Sequence, residues 1–86
     1  MLLPILYFSD KCPDTTPFKN GLAARDIEYS EVNITDSMAN LKQFLALRDQ
    51  RLEFEARKQR GFIGIPVLLS PDGRLCFDLA EVDALN

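Results

Sequence analysis

The residues with the clearest chemical potential are Cys12-Pro13-Asp14-Thr15, which lie between a short apolar run and a stretch of helical periodicity. A cysteine at a helix N-terminus faces free backbone N–H groups and the positive end of the helix dipole, and both favour thiolate over thiol. Lys11 adds a neighbouring cation, while Asp10 and Asp14 act in the opposite direction. The chemistry this points to is nucleophilic thiol exchange, which needs a thiolate and a leaving thiol but no imidazole. Gly64-Ile65-Pro66, at the head of a second apolar run, is the other marked feature. Proline there either starts a strand in the trans form or forms a cis peptide that aims the preceding backbone at a site.

Composition narrows the alternatives. The chain has 86 residues, two cysteines, and neither histidine nor tryptophan. Without histidine there is no Ser-His-Asp triad, no Cys-His dyad and no imidazole ligand, and two thiols cannot close a four-ligand zinc site. No metal is expected. Ten Lys and Arg against thirteen Asp and Glu give a net charge of −3, the wrong balance for nucleic acid. A basic cluster runs from Arg48 to Arg60 (Arg48, Arg51, Arg57, Lys58, Arg60), either as a solvated face or as a steering surface for anions. MLLPILYFSD lacks the basic flank and cleavage site of a secretory signal, and no apolar run reaches the ~20 residues of a membrane span. Two cysteines in dissimilar surroundings do not resemble a secreted disulfide framework. The expectation is therefore a single domain over 1–86, a monomer of the reducing cytoplasm, with no membrane partner.

The elements that must position Cys12 follow from periodicity. Leu2 to Phe8 reads as a strand covered on both faces, with Pro4 near its start. Thr16 before Pro17 predicts a helix N-cap, and the helix that carries Phe18 and Leu22 ends near Arg25. Tyr29 to Ile34 reads as a second strand, parallel to the first. Thr35, Asp36 and Ser37 are cap candidates for a second helix with Met38, Leu41, Phe44, Leu45 and Arg48 at helical spacing. An amphipathic stretch with Leu52, Phe54 and Ala56 continues to Gly61, a C′ glycine candidate. Ile63 to Leu69, the turn Ser70-Pro71-Asp72-Gly73, and Arg74 to Phe77 form a hairpin, and Asp78 caps a final helix. The predicted order is β-α-β-α-β-β-α.

Over essentially its whole length the chain resembles the glutaredoxin branch of the thioredoxin superfamily: a strand, Cys-Pro-x-Cys/Thr at a helix start, strand, helix, x-Ile/Val-Pro, hairpin and helix. Leu47-Arg48-Asp49 and Gly61-Phe62-Ile63-Gly64-Ile65-Pro66 are similar to segments of small glutaredoxin-related bacterial proteins. The resemblance implies an α/β thioredoxin fold with a four-stranded mixed sheet in the order 2-1-3-4. It also implies a nucleophilic Cys12, a cis Pro66 whose preceding residue Ile65 pairs with a bound thiol peptide, and glutathione as reductant and co-substrate, with no bound cofactor. Asp78 matches the aspartate that holds the γ-glutamyl group in that family, Pro13 follows the nucleophile in the motif, and Lys11 and Arg60 either steer a glutathione carboxylate or stand free in solvent. Three positions depart from the family pattern. Thr15 replaces the second cysteine, which makes the mechanism monothiol; its hydroxyl either donates to the Cys12 sulfur or simply begins the helix. Cys76-Phe77-Asp78 stands where glutaredoxins carry Gly-Gly-Asp, which removes the close backbone approach that glycine permits. The segment between Asp36 and Gly61 is longer than its counterpart.

The functional expectation is thiol-disulfide exchange on glutathione mixed disulfides or protein disulfides. The competing reading is a thioredoxin-fold binding module that has lost redox chemistry together with its resolving cysteine. Cys76 stands between the two. It is either an ordinary core cysteine, since Leu75 and Phe77 share the opposite strand face, or a displaced resolving thiol, which requires Cα atoms within about 7 Å of each other.

Overall fold

A computed structural model describes residues 2–85; Met1 and Asn86, the ends of the expected domain, lie outside the described residues. The order of elements is β1 (Ile5–Phe8), α1 (Thr15–Ala24), β2 (Ser30–Asn33), α2 (Met38–Gln50), a 3₁₀ turn (Leu52–Phe54), α3 (Glu55–Gln59), β3 (Val67–Leu69), β4 (Leu75–Cys76) and α4 (Leu79–Asp83). The four strands form one mixed sheet in the order β2-β1-β3-β4, with β1 parallel to β2 and antiparallel to β3, and β3 antiparallel to β4. This is the expected α/β architecture and strand order.

The apolar run of β1 is explained by two cores. Leu6 and Phe8 join Phe18 and Leu22 of α1, Leu68, Cys76 and Val82 of α4 on one face. Tyr7 points the other way, into Ile34, Phe44, Phe54, Val67 and Leu75. A strand buried on both faces has no reason to alternate apolar with polar residues, and this one does not. The strand is shorter than the run that predicted it. Leu2 is 78% exposed, and the ladder opens where Ser30 N–H donates to the carbonyl of Pro4, at 2.8 Å.

Three local expectations are corrected, the first being the third strand, which begins at Val67 and not at Ile63 and pairs with β1 only from there. Helix α1 begins at Thr15 with Asp14 as N-cap, so Thr16 and Pro17 lie within its first turn. Proline is tolerated there because the first helical N–H groups have no partner within the helix. The stretch after α2 is not one amphipathic helix. Arg51 takes an extended conformation (φ −118°, ψ 127°), and the 3₁₀ turn that follows buries Phe54 while leaving Leu52 84% exposed. Ser37 caps α2, accepting a hydrogen bond from Asn40 N–H at 3.1 Å. Gly61 does end α3: it sits at φ +78°, with Gly61 N–H on the Lys58 carbonyl (3.0 Å) and Phe62 N–H on that of Arg57 (2.8 Å), the paired bonds of a Schellman cap.

Candidate functional site

The turn that presents Cys12 is built on the Ser9 carbonyl at the end of β1. That oxygen accepts from Cys12 N–H at 3.1 Å and from the Thr15 hydroxyl at 2.7 Å. Thr15 N–H then reaches the Cys12 carbonyl at 3.2 Å and leads the chain into α1. A second set of bonds ties this turn to the end of β2. Ser9 Oγ accepts from Lys11 N–H at 3.1 Å and lies 2.8 Å from Thr35 Oγ1. Thr35 Oγ1 lies 3.1 Å from Asp10 Oδ1, which also accepts from Asn33 Nδ2 at 3.2 Å. The Asn33 and Thr35 bonds hold the Asp10 carboxyl below the usual carboxylate range. Cys12 is thus half-buried on a turn braced from both parallel strands. The sequence does not single out Ser9, Asn33 and Thr35. Their signal is polar residues at or just beyond two strand ends, which many strands show, and Thr35 reads from the sequence only as a cap candidate for α2.

Cys12 opens onto a groove of about 830 Å³ whose far side is the segment Gly61 to Pro66. The Ile65-Pro66 peptide is cis, and both residues line the groove. Beneath the wall runs an aromatic column. Tyr7 meets Phe44 with ring centres 5.8 Å apart, Phe44 meets Phe54 edge-on at 5.8 Å, and Phe54 meets Phe77 edge-on at 5.1 Å. The Arg57 guanidinium lies 3.6 Å from the Phe77 ring centre and caps the column at the groove. The 3₁₀–α3 segment therefore helps build the site, since Phe54 anchors it in the core and Arg57 reaches the groove from it.

The structure brings together most of the residues expected at the site, and separates the rest. Cys12, Lys11, Ile65, Pro66 and Asp78 line one groove. Asp78 also caps α4, its carboxylate accepting from Glu81 N–H at 2.8 Å. Lys11 is exposed, 3.9 Å from Asp10. Pro13 and Arg60 are exposed and lie outside the groove lining. Of the basic cluster, the residue that lines the groove is Arg57, because α3 turns it inward while Arg51 and Lys58 pair with Glu53 and Glu55, at 2.6 and 2.8 Å. Thr15 is buried, and its one hydroxyl proton goes to the Ser9 carbonyl rather than to the Cys12 sulfur. Its role is to shape the turn.

Cys76 belongs to the core. It is 1% exposed among Leu6, Phe8 and Val82, is absent from the groove lining, and both thiols are free. Leu75 and Phe77 face the opposite core, the alternation expected of the strand. Burial, and secondarily Glu81, pushes the Cys76 thiol above its ordinary 9.0. A thiol that keeps its proton in the folded state but loses it in the unfolded chain contributes stability that is full below the ordinary value and declines as the pH rises through the native one. Relative to Cys76→Ala, the wild-type chain is therefore expected to lose stability above about pH 9 in urea titrations. Iodoacetamide should alkylate Cys12 in the folded protein and reach Cys76 only after unfolding, as peptide mass mapping would show.

Over 85 residues the chain is 44% identical to an uncharacterized protein of Haemophilus influenzae, and the match spans 99% of both chains. This chain belongs to that protein's family. No protein-family model matches it. Among the described residues, no helix is long and apolar enough to cross a membrane.

Proposed function

We propose that this protein has a thioredoxin fold of the glutaredoxin type and that it is a monothiol thiol-disulfide oxidoreductase working with glutathione in the cytoplasm. The observation that carries this reading is that Cys12, in the turn that leads into α1, shares one groove with Ile65 and Pro66, which lead into β3. In the reaction, Cys12 thiolate attacks the glutathione sulfur of a mixed disulfide. A Cys12–glutathione bond forms as the substrate S–S bond breaks, and the substrate leaves as a thiolate that takes a proton from water. A second glutathione thiolate then attacks the adduct, releasing glutathione disulfide and restoring Cys12. No second protein thiol takes part, which agrees with Thr15 at the family's resolving position and with Cys76 in the core.

Glutathione carries two carboxylates. Arg57, fixed by stacking on Phe77, is placed to receive one of them, and Lys11 adds an exposed cation on the same groove. Phe77 and Asp78 stand where glutaredoxins carry Gly-Asp and both line the groove, so the γ-glutamyl end is assigned to this part of it. The experiment is steady-state reduction of the mixed disulfide of glutathione and 2-mercaptoethanol. Wild-type protein should accelerate it, and Arg57→Gln should raise KM about tenfold while leaving kcat near wild type, the pattern of a lost charged ground-state contact. Absence of turnover in the wild type would favour the binding-module reading.

A further inference from the structure

A second cleft, of about 530 Å³, adjoins the Cys12 groove. Ile34, Thr35 and Ile63 line both, and the second continues under the start of α2 past Met38, Leu41 and Leu45. Large apolar side chains are left in solvent at this place. Met38 is 67% exposed and Ile63 53%, and Phe62, on the groove side of the same lip, is 59% exposed. Neither core needs them there, and exposed apolar surface gathered around a concave site marks binding. Arg48 is the one charged side chain among the described residues lining this cleft. A segment bearing lysine or arginine would meet it unfavourably.

We propose that the second cleft holds the polypeptide half of the mixed disulfide, selecting substrates whose modified cysteine lies in an apolar, non-basic segment. The proposal rests on the monothiol reading, and it gives each half of the substrate a place. Glutathione occupies the Cys12 groove. The chain of the leaving cysteine crosses Ile63 and sets an apolar side chain against Met38 and Leu45. The exchange is unchanged: the S–S bond between glutathione and the polypeptide breaks, the Cys12–glutathione bond forms, the polypeptide is released as a thiol, and glutathione regenerates Cys12. Met38 is a specificity determinant that takes no part in the chemistry.

Two glutathionylated peptides separate the possibilities, one with leucine and isoleucine flanking the cysteine and one with lysines in their place, each compared with the small 2-mercaptoethanol mixed disulfide. The expected result is that wild-type kcat/KM for the apolar peptide exceeds that for the lysine peptide by about tenfold, the scale on which an apolar pocket discriminates. Met38→Glu, at an exposed helix start where an acidic residue is well tolerated, should erase that preference while turnover of the small disulfide is unchanged. Equal use of both peptides by the wild type, or a preference that survives Met38→Glu, overturns the proposal while small-disulfide turnover still supports the monothiol reading. A concentration-dependent dimer in sedimentation that Met38→Glu dissolves would assign the cleft to a second copy and overturn it as well. If the small disulfide is not turned over at all, the underlying function fails first.

Discussion

Cys12→Ser is expected to bring glutathione-dependent reduction of a mixed disulfide down to the uncatalysed background, whereas Cys76→Ala retains wild-type turnover. The asymmetry follows from where the folded chain puts the two thiols. Cys12 is half-buried on a turn whose carbonyl and amide groups are already satisfied by Ser9 and Thr15, so its sulfur is presented to the groove with little freedom to lose. Cys76 packs among Leu6, Phe8 and Val82 and keeps its proton. Removing its sulfur should cost about 1 kcal/mol of stability through lost packing and leave the chemistry alone. A large loss of turnover in a well-folded Cys76→Ala would reinstate the displaced resolving thiol.

Gly64→Ala is expected to be strongly destabilising for the addition of a single methyl group. Gly64 has φ +103°, a conformation that side chains rarely adopt, and a Cβ there would lie 2.8 Å from Phe54 Cδ1 and 3.0 Å from Cε1. Phe54 cannot easily give way, because it is fully buried between Phe44 and Phe77 in the aromatic column. Backbone strain and overpacking together should cost about 2–4 kcal/mol, read as a lower urea midpoint at unchanged m-value. Gly61 makes the control. It also has positive φ, but nothing lies within 4 Å of its missing Cβ, so Gly61→Ala should lose only the backbone preference, about 1 kcal/mol. Because Gly64 precedes Ile65 and Pro66, its variant should also lose turnover, while Gly61→Ala should not. Equal costs at the two positions would mean that the column yields to a methyl group.

Most of the sheet is legible in the chain because its signals are local: an apolar run, a turn at Ser70 to Gly73, an N-cap at Asp78. Cys12 and Pro66 stand out for the same reason, since a helix start and a strand head are marked by adjacent residues. The choice between Arg57 and Arg60 is not legible. It depends on the break at Arg51 and on Phe54 turning inward against Phe44 and Gly64, contacts that no pattern of adjacent residues announces. The role of Thr15 is hidden for a related reason. A hydroxyl three residues from a cysteine could reach the sulfur, and only the folded turn shows that the Ser9 carbonyl is nearer in direction and takes the proton. The bracing of the Cys12 turn by Thr35 and Asn33 likewise joins residues more than twenty positions apart.

The most direct test is the intact mass of the native protein after incubation with glutathione disulfide. A monothiol enzyme with a core cysteine should carry a single glutathione, mapped to Cys12 and removed by added glutathione, with Cys76 still a free thiol. A protein that takes up no glutathione, or that instead loses two hydrogens to form a Cys12 to Cys76 disulfide, would contradict it.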